Sequence, residues 1–133
     1  MKYILIIIFS TCLIYTHTAA QTQAQLNKEA SDFYKKYDME LNSVYKQIIE
    51  EYSNDAIFIE ALRTSQRNWI TFRDSELKMK YPNREPGWYG SIQTMCVSYY
   101  MAELTNERTR RLRLWVDGID EGDACAGTIK TKD

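Results

Sequence analysis

Residues 65–76, SQRNWITFRDSE, concentrate side chains suited to polar and aromatic recognition. Trp69 and Arg73 are four residues apart, so a helix would place them on one face, at the edge of an otherwise apolar stripe. A guanidinium withdrawn from water is costly unless a carboxylate pairs with it, and its flat face can also stack on an indole ring. This stretch therefore predicts an ion pair and a cation–π contact for Arg73, and it requires neighbouring elements that supply the partners.

Three segments with helical periodicity can supply them. Apolar residues recur every three or four positions through residues 25–52, 56–81 and 92–116. The turn Ser53-Asn54-Asp55 ends the first helix and offers a cap for the second, and Ser91 can cap the third after the proline- and glycine-bearing loop 81–90. We predict an all-α fold, an antiparallel three-helix bundle followed by a glycine-rich tail at residues 117–133 that is mobile unless Cys125 anchors it.

Folding the chain about these turns brings three polar clusters to one level of the bundle, at residues 38–42, 66–74 and 102–108. Asp38 or Glu103 can then pair with Arg73. A hydrogen-bonded network can form beside that pair from Asn42, Gln66 and Thr105. One interpretation is that this layer fixes the register of the helices.

The alternative is that the layer is a partly exposed partner-binding site, with candidate residues Arg67, Trp69, Arg73, Asp74 and Arg108. A second candidate surface is the loop tip at Trp88 and Tyr89, because aromatic residues dominate binding hot spots. The competing interpretation is that Trp88 folds back and caps the end of the bundle. The acidic residues of the tail, between 117 and 123, either steer a basic partner or are a solvated surface.

Charge and histidine content narrow the classes of function. The chain has 17 basic and 18 acidic residues, whereas nucleic-acid binders carry a basic excess. Its single histidine, His17, lies in the segment that we expect to be removed. Without histidine, Ser-His and Cys-His catalysis and histidine metal sites are unavailable. We therefore expect no enzyme, catalytic site, metal site, cofactor or nucleic-acid partner.

The first 20 residues, MKYILIIIFSTCLIYTHTAA, have the basic start, short apolar run and small-residue end of a secretory signal. The apolar run is too short for a comfortable membrane span, so we predict cleavage after Ala20 and a secreted chain in the bacterial periplasm. A lipoprotein signal with Cys12 as the lipidated residue is the less favoured alternative. The remaining chain is the length of one domain, at residues 21–116 plus the tail.

Cys96 and Cys125 are the two cysteines outside this signal, and an oxidising compartment favours a disulfide. An internal bridge requires a third helix that stops early, or a tail that runs straight back along it for roughly 30 Å, which is about the full reach of the connecting residues. A bridge between two chains is the competing possibility. The sequence does not distinguish a monomer from an oligomer.

A set of motifs gives the chain a family resemblance. The segments TQAQLNKEA (22–30), DMELNSVY (38–45), LRTSQRNWITFRDSE (62–76), GSIQ (90–93) and AELTNERTRRL (102–112) are similar to the lysozyme inhibitor LprI-like family of small secreted bacterial proteins. The combination of L-N-x-x-Y, Q-R-x-W-x-x-x-R-D and L-T-x-x-R at these separations is its most specific part.

The resemblance implies an all-helical envelope domain that acts by protein contact, with a lysozyme as the candidate partner. Its functional rival is a structural or assembly module of an envelope complex that does not inhibit lysozyme. The resemblance also implies cysteines near the start of the domain and at three further positions, where this chain has Glu29, Leu77 and Tyr100. The family's usual bridges are therefore absent, and packing of Leu77 and Tyr100 is expected to replace one of them.

Overall fold

The computed structural model describes the backbone of residues 2–132 and the side chains of residues 22–132. Three helices follow one another, α1 (Lys2–Glu51), α2 (Ala56–Lys80) and α3 (Gln93–Asp117). Within the described range, β-structure is limited to one isolated bridge in the tail. The all-α prediction is confirmed. The predicted signal peptide and Cys12 have side chains outside the described residues, and no helix in the described part is long and apolar enough to span a membrane.

The closest packing in the molecule joins α1 to α3, which run parallel because the chain reverses direction twice between them. Ala30 and Ala102 are completely buried, and small side chains let two helix backbones approach closely. Thr105 and Thr109 are buried as well, and their hydroxyls donate to the carbonyl oxygens one turn earlier, at 2.7 and 2.9 Å. The threonines thus present their methyl groups to the interface without leaving a polar group unsatisfied.

Helix α2 lies farther from both partners, and its buried residues are Ile59 and Leu62. Leu62 reaches the main core cluster, which contains Leu41, Val44, Ile48 and Leu112. Larger, partly buried side chains, including Phe58 and Trp69, fill the space between α2 and the α1–α3 pair. The core is therefore a tight two-helix seam with a third helix attached through aromatic side chains.

The turns between the helices follow the predicted positions with one exception. The Asp55 carboxylate accepts a hydrogen bond from the Phe58 amide at 2.9 Å, which confirms that the 53–55 turn caps α2 and identifies Asp55 as the capping residue. Helix α2 ends just before Pro82, as predicted. The prediction for Ser91 is wrong, because α3 starts at Gln93 and its capping position is Ile92, which makes no side-chain capping bond.

The C-terminal tail is folded onto the end of the bundle, contrary to the prediction of a mobile tail. The Tyr52 hydroxyl donates to the Trp115 carbonyl at 3.1 Å and accepts from the Lys130 amide at 3.2 Å. Ile119 forms a parallel bridge with Thr131, so the tail closes on itself directly after α3. These bonds hold the tail without any contribution from a disulfide, since Cys96 and Cys125 are both free thiols. Of the two disulfides that the sequence allowed, the internal bridge is therefore not formed in this structure.

Gly118 allows this close return of the chain. Its φ of 74° with ψ of 173° is a conformation that essentially only glycine adopts. A β-carbon there would lie 3.0 Å from the Lys130 carbonyl oxygen and 3.0 Å from the Lys132 nitrogen. Both obstacles are backbone atoms, so they cannot swing aside.

We expect Gly118→Ala to lower the free energy of unfolding by about 2–3 kcal/mol, because it adds backbone strain and displaces the tail. Denaturant unfolding would measure the loss. Gly127→Ala is the matched control, since Gly127 also has a positive φ of 60° but no atom within 4 Å of the added β-carbon. It should cost about 1 kcal/mol. Equal losses in the two variants would contradict the packed tail.

Candidate functional site

Trp69 of α2 lies between two guanidinium groups. The Arg73 guanidinium carbon is 5.3 Å from the centre of the Trp69 ring, and that of Arg108, from α3, is 6.0 Å away. The predicted stacking of Arg73 on Trp69 is confirmed. Only 15% of the Arg73 side chain is exposed, so the contact is largely protected from water and is worth more than an exposed cation–π pair.

The carboxylate partner of Arg73 comes from its own helix. Arg73 donates to Asp74 from Nε at 3.0 Å and from Nη2 at 2.8 Å, and the predicted pairing with Asp38 or Glu103 is wrong. Because α2 stands away from α1, the adjacent residue is the carboxylate within reach. The Asp38 carboxylate instead accepts from Asn42 at 3.1 Å.

The predicted network of Asn42, Gln66 and Thr105 does not form. Thr105 bonds to the backbone of its own helix, and Gln66 accepts from Arg108 Nε at 3.1 Å. Gln66 therefore lies level with Arg108, about one turn farther along α3 than the expected position at Thr105. As a result, Arg108 rather than Thr105 lies at the level of Gln66 and Trp69, and Thr105 is buried in the contact between α1 and α3.

Arg108 has an unusual charge environment. Its Nη2 also donates to the Ser65 hydroxyl at 3.0 Å, so its observed hydrogen-bond partners are neutral groups. Among residues 22–132 it forms no ion pair. Burial lowers the pKa of the Arg108 guanidinium, and the charge of Arg111, one turn away, lowers it further. An arginine stays protonated in proteins, so the half-buried charge persists without a carboxylate.

Arg108 opens onto a groove between the first half of α2 and the second half of α3. The groove has a volume of about 710 Å³, within the range of small-molecule sites. Its walls are mainly apolar, and the polar groups among them are two arginines, one carboxylate and two hydroxyls besides the Trp115 indole. The lining residues are Asp55, Ile57, Phe58, Ala61, Leu62, Ser65, Arg108, Arg111, Leu112, Leu114, Trp115 and Thr128.

Aromatic contacts fix the floor of this groove. Phe58 lies 4.7 Å from Tyr52 and 6.2 Å from Trp115, measured between ring centres. The Trp115 indole N–H donates to the Thr128 hydroxyl at 3.0 Å, which holds the ring in position from the folded tail. The tail thus completes one end of the groove.

The loop tip is a separate surface at the opposite end of the bundle. Trp88 is 66% exposed, so the interpretation that it caps the bundle is wrong. The Arg84 guanidinium lies 5.4 Å from the centre of the Trp88 ring. Tyr89 stabilises the loop, because its hydroxyl donates to the Pro82 carbonyl at 2.7 Å and its ring packs edge-on against Tyr81. Its contact with a partner stays a prediction.

The predicted binding residues therefore divide among three places. Trp69, Arg73 and Asp74 lie in the layer between the helices, with Arg108 reaching the groove. Arg67 is on the exposed face of α2, where it donates to Thr64 at 2.9 Å and pairs with Glu60 at 3.4 Å. The loop tip is roughly 27 Å from the arginines of the groove, at 1.5 Å per helical residue.

The groove itself has no clear signal in the sequence. Two of its walls are Ile57, which is 86% exposed, and Leu114, which is 43% exposed. Both fall outside the apolar stripes that defined the helices. An apolar residue outside the stripe was the available signal, and it becomes informative only when α2 and α3 are placed side by side.

Comparison with known proteins identifies the family of this chain. A family model described as "Lysozyme inhibitor LprI" matches residues 15–112, which is most of the chain. The chain belongs to the LprI lysozyme inhibitor family. A relative from Rhizobium meliloti (strain 1021), described as "Uncharacterized protein R02472", is 33% identical over 105 residues, covering 71% of this chain and 73% of that protein. No solved structure matches the chain significantly.

The LprI match spans the Trp69 layer, the loop tip and Arg108, and it stops before the folded tail. The family resemblance implies a cysteine at position 100, where this chain has Tyr100. In place of a disulfide, the Tyr100 side chain connects α3 to α2 by noncovalent contacts. The Tyr100 hydroxyl donates to Glu76 at 3.3 Å, and Lys80 lies 3.7 Å from the centre of the ring. This polar and cation–π connection lies at the level of Leu77 and links the same two helices.

Trp69, packed against the core, and the exposed Trp88 should contribute differently to stability. We expect Trp69→Ala to lower the free energy of unfolding by about 2–4 kcal/mol, because it removes a partly buried ring and both stacked guanidiniums. Trp88→Ala is the matched change and should stay within about 0.5 kcal/mol of wild type, since its ring is exposed. Thermal or denaturant unfolding measures both, and similar losses would contradict the placement of Trp69 within the core layer.

Proposed function

We propose that this protein is a secreted, non-catalytic binding protein of the bacterial cell envelope that inhibits a lysozyme by direct contact. Membership of the LprI family over residues 15–112 is the observation that carries the proposal. The predicted signal at residues 1–20 supports export, with the periplasm as the compartment where such an inhibitor would meet its target.

The loop tip is the surface that best fits this role. Trp88 projects from a loop held by its own hydrogen bonds, from the Trp88 amide to the Glu85 carbonyl at 3.1 Å and from the Gly90 amide to the Gly87 carbonyl at 3.0 Å. An ordered loop loses little conformational entropy when it binds. The exposed indole can fill a pocket, and Arg84 beside it can approach a carboxylate.

The side chains of the loop tip are complementary to the active-site cleft of a lysozyme. Lysozyme cleaves its polysaccharide with two carboxyl groups placed in an open cleft. A tryptophan with an adjacent guanidinium combines an aromatic group for a sugar-binding cleft with a positive charge for those carboxylates. Tryptophan and arginine are also the residue types most enriched among interface hot spots. The proposed mechanism is therefore occlusion of the cleft by Trp88 and Arg84.

A turbidity assay tests this function. Several lysozyme types are each added to a cell-wall suspension with and without the purified protein, and lysis is measured as the fall in turbidity. We expect micromolar protein to slow lysis by at least one type. Trp88→Ala should raise the concentration for half-maximal inhibition roughly thirtyfold, the effect of losing a hot spot of about 2 kcal/mol.

Phe72→Ala is the matched control, because Phe72 is an exposed aromatic residue, at 53%, on the side of α2 rather than on the loop. It should leave inhibition unchanged. Loss of inhibition in both variants would reject the loop tip as the contact. If wild-type protein in excess inhibits no lysozyme type, the result would reject the proposed function and favour an assembly module of an envelope complex.

A further inference from the structure

We propose that the groove between α2 and α3 binds a monomeric amphiphile with one anionic headgroup and an unbranched apolar chain, of the medium-chain fatty-acid class. The headgroup would lie at Arg108 and Arg111, and the chain would extend along the aromatic floor towards Thr128. This site is distinct from the loop tip, and the inference does not depend on lysozyme inhibition.

The charge of the groove defines the headgroup. Arg108 and Arg111 are one helical turn apart, so their side chains are neighbours on α3. Neither forms an ion pair within residues 22–132. Asp55 also lines the groove, but its carboxylate caps the start of α2, ten residues from Ser65. Two adjacent cations at an apolar wall, one of them half-buried, are stabilised by an anion that binds both.

The shape of the groove defines the body of the ligand. From Ser65 beside Arg108 to the cap at Asp55, the groove follows α2 for roughly 15 Å, at 1.5 Å per residue. That length is similar to an extended twelve-carbon acyl chain. Along it the lining consists of Ala61, Phe58, Leu112 and Trp115, with Leu114 and Ile57 at the edges. These residues offer no hydrogen-bonding side chain except the Trp115 indole, which is already bonded to Thr128. The interior therefore suits a saturated chain better than a sugar or a polar peptide.

Titration with laurate below its micellar concentration tests the site, with binding measured by calorimetry and located by NMR of the indole N–H groups. We expect the Trp115 signal to shift and the Trp88 signal, from the far end of the bundle, to remain in place. Dodecyltrimethylammonium has the same chain with a cationic headgroup, and it should bind at least roughly tenfold more weakly because Arg108 and Arg111 would repel it.

Arg111→Gln should weaken laurate binding roughly tenfold, as expected for loss of a charge-assisted contact. Arg110→Gln is the matched control, since Arg110 is also exposed but does not line the groove. It should change the dissociation constant less than about twofold, because a solvated charge that does not line the groove is screened by water and salt. Ala61→Trp keeps every charge and fills the groove, and it should abolish binding.

Several outcomes would overturn the proposal. These are no binding of monomeric laurate, equal binding of the cationic amphiphile, and equal effects of the two arginine substitutions. Association only with anionic vesicles would mean that the arginines contact a membrane surface rather than hold a free amphiphile. A dimer that Ala61→Trp dissociates would mean that a second copy of the chain occupies the groove.

Discussion

The close contact between α1 and α3 determines the rest of the molecule. Alanine and threonine at positions 30, 102, 105 and 109 let the two backbones approach, and the parallel direction of the pair forces the chain to cross the full length of the bundle and return between them. Burial of Leu41, Val44, Ile48 and Leu112 along one end of this seam provides its main hydrophobic stabilisation. Helix α2 is the returning segment, and the residues that it buries are the larger Ile59 and Leu62.

The functional surfaces follow from that arrangement. Since α2 remains at a distance, large side chains bridge the space, and Trp69 can be stacked by Arg73 from its own helix and Arg108 from α3. Where the bridging side chains end, the space remains open as the groove, closed at one end by the tail through Trp115 and Thr128. The loop that joins α2 to α3 carries Trp88 at the opposite end. An inhibitory contact and an amphiphile site can therefore exist on one small domain without sharing residues.

The sequence predicted the three helices, a cap for α2 from the 53–55 turn and the 81–90 loop, because each has a local signal in periodicity or turn chemistry. It did not predict the buried face of α3, since the alanine and threonines at positions 102, 105 and 109 do not stand out in an apolar pattern. The partner of Arg73 and the one-turn shift at Gln66 depend on the distance between helices, which periodicity does not contain. The folded tail depends on single hydrogen bonds between residues far apart in sequence, such as Tyr52 with Lys130.

Native-state hydrogen exchange tests the central role of the α1–α3 seam most directly. If the seam is the stable unit and α2 is attached to it, amides at residues 41–48 of α1 and 102–112 of α3 should exchange slowest and with the same opening free energy. Amides at residues 63–75 of α2 should exchange at least roughly tenfold faster through a separate partial opening, because fewer buried contacts hold that helix. Protection of α2 equal to or greater than that of α3 would contradict the account.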